Sequence, residues 1–186
     1  DPIIIGCSTA GEISNQGVSE DSAVVSAIRF DNTGFRIAAT DTTGMADSTA
    51  AGQRLAEQLL APDLKAVILL SQGVAVNGSD LIDGVVGVLG KQVPLTGGLA
   101  GDYGAFTQTW TLLDDVVSDR MMLAIGLYGD SINFAHGSFG GWQSFGPARR
   151  ATRAVGNVLY ELDGEPALDI YRRYLGEYAS GLPASG

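Results

Sequence analysis

The chain contains 186 residues, of which 45% are hydrophobic and 17% are charged. This composition supplies a hydrophobic core and excludes an intrinsically disordered chain. The formal net charge of −10 disfavours nucleic acid and anionic membrane surfaces as partners, because their phosphate groups would be repelled. A single cysteine, Cys7, excludes an internal disulfide, and no apolar run approaches the ~18 residues of a membrane span. We therefore expect a cytoplasmic protein with neither a signal peptide nor membrane insertion.

Three β-rich runs occupy the first part of the chain. Residues 1–6 enter a strand-like apolar run with no initiating Met, which indicates a chain cut from a longer protein. Residues 23–30 and 35–41 are rich in β-forming residues, and the turn-forming residues 31–34 separate them. The pattern predicts an opening strand followed by a β-hairpin.

Two predicted helices and two predicted strands follow. Residues 46–61 place Ala and Leu at helical spacing before Pro62, which predicts a helix. Residues 65–71 form a continuous apolar run, typical of a strand that is buried on both faces. A second helix over residues 79–90 leads to a strand at 94–98, so the region predicts a βαβ unit with parallel strands. The predicted N-caps are Asp47 or Ser48 for the first helix and Ser79 or Asp80 for the second.

Antiparallel patterns dominate the rest of the chain. Residues 107–113, 121–128 and 131–138 are β-rich runs separated by turn-forming residues, which predicts a β-meander. Residues 151–162 predict a further hairpin. Pro166, at a first helical turn, predicts a C-terminal helix.

Together these elements predict an α+β (mixed α/β) fold with two β-α-β-β-type pseudo-repeats, which form mixed sheets with packed helices. The repeat is indicated by residues 5–12 and 96–102, because both segments run from a strand through Gly to Ala-Gly and an acid. Coincidence in a chain with 26 glycines is the alternative. We predict one domain over residues 1–179, with the first strand and helix of the first repeat missing, and a disordered tail over residues 180–186.

Several cofactor sites are excluded by the motifs. With His136 as the only histidine and Cys7 as the only cysteine, no transition-metal site can be assembled. Residues 84–92 are similar to a P-loop at Gly90 and Lys91. However, position 85, where the first glycine of the motif would stand, is Val, and Gln92 stands where the motif requires Ser or Thr. Residues 97–101 precede β-rich sequence rather than the helix of a dinucleotide site. We therefore expect no metal and no cofactor.

A hydrolase or transferase is the alternative enzyme interpretation, and it would use Ser8 or Cys7 as its nucleophile. Residues 6–11 are similar in composition to a nucleophile elbow, but too few residues remain before Gly17 for the helix that an elbow needs. The only imidazole base, His136, falls in a predicted strand. We therefore predict no catalytic residue and no hydrolytic activity.

The two glycine-rich segments carry the candidate binding residues. Ser8, Thr9 and Glu12 follow the opening strand, at the end of a strand where ligands commonly bind. Asp102 holds the matching place in the second segment, where Gly98 and its neighbouring glycines leave the backbone open to close approach. We therefore expect the two segments to line one pocket. The alternative is a pair of tight turns in which the two acids cap backbone amides.

Two residues in or near a third glycine-rich stretch, residues 140–147, complete the candidate pocket. Trp142 is suited to a pocket wall, with a lid over the core as the alternative. Arg150, in a basic cluster with Arg149 and Arg153, is suited to hold a ligand carboxylate, and the backbone N–H groups of the glycine-rich segments are the alternative donors. Acids on one side and a guanidinium on the other predict a small polar ligand such as an amino acid.

Four segments occur in an order that covers nearly the whole chain. They are Ile-Gly-Cys-Ser-Thr-Ala-Gly-Glu-Ile (5–13), Gly-Gly-Leu-Ala-Gly-Asp (97–102), Gly-Trp followed by Gly-Pro (141–147), and VLYELDGEPALDIYRRYL (158–175). Together they resemble the N-terminal part of the FIST (F-box and intracellular signal transduction) family.

The resemblance implies a sensory input domain of a signal-transduction protein, without catalytic activity of its own. It also implies two kinds of protein partner. One is a C-terminal FIST domain, and the other is a signalling output such as a histidine kinase of a two-component system, a chemotaxis receptor or a cyclic-dinucleotide enzyme. A protein-interaction scaffold without a small ligand is the remaining interpretation.

Overall fold

A computed structural model describes residues 2–140, 143–144 and 146–182. The chain divides into two compact units, residues 1–136 and residues 137–186, each with its own β-structure. The single domain over residues 1–179 stays a prediction, and positions 183–186 of the predicted tail fall outside the described residues. Across the described ranges no helix is both long enough and apolar enough to cross a membrane.

Helices and strands are combined in both units, as the predicted α+β fold requires, and that fold class is confirmed. Short 3-10 helices span Met45–Asp47 and Gly176–Gly181. The other elements, in chain order, are β1 Ile5–Cys7, β2 Glu12–Ser14, β3 Gly17–Ser19, β4 Gly34–Asp41, α1 Ser48–Leu59, β5 Leu64–Ser71, α2 Gly78–Leu89, β6 Leu95–Leu99, β7 Thr111–Leu113, β8 Val116–Ser118, β9 Met121–Tyr128, β10 Ala151–Val155, β11 Val158–Leu162, β12 Glu165–Pro166 and α3 Ala167–Leu175.

A four-stranded mixed sheet of order β4-β9-β5-β6 forms the centre of the first unit. Strands β5 and β6 pair in parallel, from Val67 opposite Leu95 to Ser71 opposite Leu99, which confirms the predicted βαβ unit. Strand β9 lies between β4 and β5 and is antiparallel to both. Because β9 is a central strand, all its residues except Ile125 are buried.

The helices α1 and α2 pack against each other, and α1 also packs on β4 and β9. Leu55, Leu81 and Met122 are fully buried there, in one hydrophobic core that combines side chains from both helices and the sheet. The hydroxyl of Tyr128 donates a hydrogen bond of 2.7 Å to the backbone oxygen of Leu59, at the last residue of α1. This bond satisfies a carbonyl group that has no partner within the helix.

Two smaller sheets complete the first unit. Strands β1, β7 and β8 form an antiparallel sheet of order β1-β7-β8, and β2 pairs with β3 in a hairpin. Of the predicted run 107–113, only the last three residues form a strand. The predicted strand at 131–138 is wrong, because residues 132–140 have no regular secondary structure. The predicted meander is therefore wrong: β7 pairs with β1 and β8, whereas β9 belongs to the four-stranded sheet and pairs with β4 and β5.

The predicted hairpin of residues 23–30 with 35–41 is also wrong. Strand β4 pairs along its whole length with β9, and residues 22–30 have no regular secondary structure. Ile28 instead lines a cavity of about 270 Å³ over the second face of the four-stranded sheet, together with Phe35 and Ile68. The run has high β-propensity, but propensity does not specify a pairing partner.

The N-cap position of α1 is one of the two predicted, whereas that of α2 is not. Asp47 occupies the cap position of α1, but its side chain makes no capping bond and pairs instead with Arg54, at 2.8 Å. Asn77, and not Ser79 or Asp80, caps α2, since its side-chain oxygen accepts from the backbone N–H groups of both residues. An Asx cap of this kind needs its acceptor two or three residues before the amides that it binds.

The second unit contains the antiparallel sheet β10-β11-β12 and helix α3, which packs on β11. The predicted hairpin over residues 151–162 and the helix that follows Pro166 are confirmed. Ala167 and Ile170 are the buried residues of α3, so this helix presents only a narrow apolar contact to its own sheet.

Helices α1 and α2 approach each other through a reciprocal pair of glycines. A Cβ atom placed on Gly84 would overlap the backbone oxygen of Thr49 in α1, and one placed on Gly52 would overlap the backbone oxygen of Leu81 in α2. The helix backbones are therefore closer than any side chain at these two positions would allow.

We predict that Gly84→Ala destabilises the protein by about 1 to 3 kcal/mol, because the two helices must separate to admit the methyl group. Gly87→Ala on the same helix is the matched control, since no atom lies within 4 Å of the added Cβ. Alanine has the higher helix propensity, so the control is expected to gain about 0.5 to 1 kcal/mol. Urea unfolding followed by circular dichroism measures both, and equal stabilities would contradict the packing described.

Candidate functional site

The two glycine-rich segments meet in the first unit. The backbone N–H of Gly101 donates to the backbone oxygen of Ser8 at 3.0 Å, and that of Ala100 donates to the backbone oxygen of Ser71 at 2.7 Å. A Cβ atom on Gly101 would lie 2.8 Å from the backbone nitrogen of Ala10, closer than real Cβ contacts. The loop after β6 therefore packs directly against the loop after β1. The similarity of the two glycine motifs had indicated that these segments lie close together.

A cavity of about 540 Å³ opens beside the first of these segments. Ser8, Thr9 and Glu12 all line it, so the structure brings together three of the predicted site residues. Ser22 and Tyr103 line it as well. Neither of these two was predicted, although Tyr103 directly follows the second glycine motif and could have been found from it. No sequence signal marks Ser22.

The Glu12 carboxylate is held by two hydroxyl groups. Thr9 Oγ1 donates to Oε1 at 2.5 Å, and Ser22 Oγ donates to Oε2 at 2.8 Å. The hydrogen bond from Thr9, followed by that from Ser22, lowers the pKa of Glu12 below its usual range. Glu12 is therefore ionised at neutral pH. Backbone N–H groups of Ser22 and of Glu12 itself make smaller contributions in the same direction.

The neighbouring nucleophile candidates are not activated. Ser8 Oγ accepts a hydrogen bond of 3.0 Å from the backbone N–H of Trp110, and the Ser8 N–H donates to the Trp110 oxygen at 2.9 Å. Ser8 thus extends the pairing between β1 and β7. Burial raises the pKa of the Cys7 thiol, which keeps it protonated and weakly nucleophilic. His136 lies in the stretch without regular structure and not in a strand, contrary to prediction.

Asp102 has a different role from Glu12. Its carboxylate accepts from the backbone N–H groups of Phe106, Thr107 and Gln108, at 3.0, 2.7 and 3.2 Å. The bond from Thr107 is the main reason that the pKa of Asp102 is lowered. Asp102 therefore caps backbone amides of its own loop, which is the alternative that the sequence analysis gave for this residue. Gly98 is exposed on β6, and no atom lies within 4 Å of the position of a Cβ there.

The remaining predicted site residues belong to the second unit. Arg150 is exposed, and its backbone N–H donates to Asp163 Oδ1 at 2.9 Å. Trp142 lies outside the described residues. Throughout the described ranges, no three His, Cys, Asp or Glu side chains are grouped so that they could hold a metal ion.

The hydroxyl bonds to Glu12 can be tested by titration. We predict that Thr9→Val and Ser22→Ala each raise the pKa of Glu12 toward its ordinary value, because each removes a donor that favours the charged form. A carboxyl-carbon NMR titration measures the midpoint. The pKa of Glu12 is lower in the folded protein than in the unfolded chain, so these hydrogen bonds stabilise the fold at pH values above the ordinary pKa of a glutamate. The stabilisation is lost as the pH falls through the pKa of Glu12 in the folded protein.

Ser26→Ala serves as the control for this titration, since Ser26 does not line the Glu12 cavity and forms no hydrogen bond with Glu12. A Glu12 midpoint that stays the same in all three variants would show that the two hydroxyls do not hold the carboxylate.

Comparison with known proteins identifies the family. Residues 1–165 match the FIST N domain. An uncharacterized protein of Methanocaldococcus jannaschii is 34% identical over 97 residues, which cover 50% of this chain and 19% of that protein. The chain thus spans about a fifth of the length of this relative. No solved structure matches the chain. The chain belongs to the FIST N domain family, whose members are sensory domains of signal-transduction proteins.

Proposed function

We propose that the chain is the ligand-binding input of a signalling protein, and that its cavity at Glu12 binds a small metabolite with an ammonium group, such as an amino acid. The observation that supports this proposal is the ionised Glu12 carboxylate at the cavity wall, which is oriented by the hydroxyl groups of Thr9 and Ser22. A cavity of about 540 Å³ is within the size range of small-ligand sites.

The charge of the surroundings favours a cation over an anion. Residues 1–136 contain 16 acidic and six basic residues, so this unit carries the whole net charge of −10. The lining of the cavity includes Glu12 and no Lys or Arg among the described residues. An ammonium group would form charge-assisted hydrogen bonds with Glu12, which are about twice as strong as neutral ones.

The cavity also offers a donor for a ligand carboxylate. The backbone N–H of Thr9 forms no hydrogen bond with another described residue, although Thr9 lines the cavity. In this binding mode the Thr9 N–H binds the carboxylate of an α-amino acid, and the Glu12 carboxylate binds its ammonium group. In the second unit, Arg150 and Trp142 are not required for this binding mode.

Signalling follows from the family membership. Ligand binding in this unit would bias the conformation that a C-terminal FIST domain and an output module detect. The proposed outputs are a histidine kinase, a chemotaxis receptor or a cyclic-dinucleotide enzyme. Tyr103 belongs to the loop over residues 102–108 that Asp102 closes, so a ligand in the cavity would contact this loop through Tyr103.

We predict that a thermal-shift screen of the amino acids yields at least one stabilising ligand, since saturation at 100 times Kd adds about 2.7 kcal/mol. For that ligand, Glu12→Gln is expected to weaken binding about tenfold or more in isothermal titration, because a charged acceptor is lost. Glu20→Gln is the matched control: it removes the same charge from an exposed position that does not line the cavity.

Equal weakening by Glu12→Gln and Glu20→Gln would mean that only net charge matters, and would contradict a site at Glu12. No stabilising ligand among amino acids and simple amines would leave the family membership intact but reject the proposed ligand class.

The enzyme alternative can be tested separately. We predict that the wild-type protein hydrolyses p-nitrophenyl acetate no faster than the Ser8→Ala and His136→Gln variants do. Ser8→Ala is expected to lose about 0.5 to 1.5 kcal/mol of stability instead, because the Trp110 N–H loses its acceptor. Hydrolysis that disappears in both variants would favour the hydrolase over the sensor.

A further inference from the structure

A cavity of about 580 Å³ lies along strand β1 in the first unit, and we name it the β1 cavity. Residues 2–8 form one side of it and residues 23–28 form the other, while Trp110 and Leu112 complete the lining. None of these described residues is acidic or basic. An occupant of the β1 cavity is therefore held by backbone hydrogen bonds, small polar side chains and apolar contacts.

The outer edge of β1 lacks a partner strand. In the sheet of order β1-β7-β8, β1 is an edge strand, and the Ser8 N–H faces β7, where it donates to the Trp110 oxygen at 2.9 Å. Successive residues of a strand direct their backbone groups to opposite sides, so those of Ile5 and Cys7 point away from β7. No strand among the described residues pairs with them there. Both residues line the β1 cavity and are partly exposed, so an added strand can reach them.

The opposite side of the β1 cavity is an apolar segment without cover. Residues 22–30 have no regular secondary structure, and residues 22–29 are all exposed. Val25 is 89% exposed and Ile28 is 73% exposed. Apolar side chains that are exposed together mark a surface that binds another polypeptide. A β-rich segment in this state lacks the neighbouring strand that would bury it.

The second repeat shows which element stands in the corresponding place. The sequence Val-Ser-acid leads from the β7–β8 hairpin toward β9 at residues 117–119, and from the β2–β3 hairpin toward residues 22–30 at residues 18–20. Strand β6 corresponds to β1 through the shared glycine motif. Between β9 and β6 lies β5, which is antiparallel to β9 and parallel to β6. In the first repeat, the β1 cavity stands in the place of β5.

We propose that an apolar β-strand fills the β1 cavity, parallel to β1 and antiparallel to residues 22–30. One edge of this strand pairs with the backbone of Ile5 and Cys7, and the other edge orders residues 22–30 as a strand. Since β5 precedes β6 in the chain, with α2 between them, the strand that fills the cavity belongs to polypeptide that precedes β1. The proposal does not depend on a ligand at Glu12.

The test adds a synthetic peptide to the whole chain, labelled for NMR. The peptide has the sequence of β5, Leu-Lys-Ala-Val-Ile-Leu-Leu-Ser, with added lysines at both ends for solubility. At saturation, the amide hydrogens of Ile5 and Cys7 are expected to exchange about tenfold more slowly or less, because they gain acceptors. The carbon shifts of residues 23–28 are expected to move to values typical of a β-strand.

A control peptide tests whether backbone pairing holds the strand. It carries proline at two alternate central positions and keeps the added lysines, so it loses backbone donors but not its charge. The proline peptide is expected to cause neither the slower exchange nor the carbon shifts.

The direction of the bound peptide tests the parallel pairing. A nitroxide at the N-terminus of the peptide is expected to broaden the resonances of Ile3, and one at its C-terminus those of Ser8.

A variant and its matched control locate the cavity. Ile28→Asp places a charge in the wall and is expected to weaken peptide binding about tenfold or more, because the carboxylate would be buried by the added strand. Ile13→Asp makes the same change at a position that is 78% exposed, compared with 73% for Ile28, and that does not line the β1 cavity. It is expected to leave the Kd unchanged.

The proposal is overturned by no binding of the β5 peptide, by equal binding of the proline peptide, by a reversed nitroxide pattern, or by equal weakening in Ile28→Asp and Ile13→Asp. Slow exchange at Ile5 and Cys7 in a chain that dimerises without peptide would also overturn it, because a second copy would then be the occupant. Glu12→Gln is expected to leave peptide binding unchanged, so failure of the Glu12 site is distinguished from failure of this proposal.

Discussion

The backbone contact at Ala100 and Gly101 is the constraint on which the site of the first unit depends. Ala100 continues the parallel pairing of β6 by bonding to Ser71, and Gly101 bonds to Ser8 beyond the end of β1. Two adjacent residues therefore join the four-stranded sheet to the smaller β1-β7-β8 sheet. The contact needs glycine at 101, because a Cβ would collide with Ala10. The position of the first glycine loop is thus fixed by the end of β6.

This constraint assigns different roles to two acids that look equivalent in the sequence. Asp102 directly follows the contact, and its carboxylate turns to the amides of Phe106, Thr107 and Gln108, which closes its own loop. Glu12 lies two residues beyond Ala10, and its strongest hydrogen bonds come from the hydroxyl groups of Thr9 and Ser22. Asp102 therefore closes a loop through backbone amides, whereas Glu12 is oriented mainly by side chains at the wall of the cavity.

Sequence reasoning succeeded where the signal was local and failed where it was not. The βαβ unit was predictable because its helix and strands each have their own hydrophobic period, and the crossover rule fixes the parallel pairing. The hairpin at 23–30 was not, because β4 pairs with β9, some 90 residues later. For the site, the glycine motifs indicated Ser8, Thr9 and Glu12. The contribution of Ser22 could not be predicted, since it depends on how the unpaired segment folds back.

The two units differ in net charge, which the total of −10 for the chain does not show. All of that charge belongs to residues 1–136, and residues 137–186 are neutral. At physiological ionic strength charges are screened within about 8 Å, so the groups lining each cavity decide what binds. The Glu12 carboxylate lines a cavity of the first unit, and the Arg149 guanidinium lines a cavity of the second unit. The two cavities therefore present charged groups of opposite sign, although the chain as a whole is acidic.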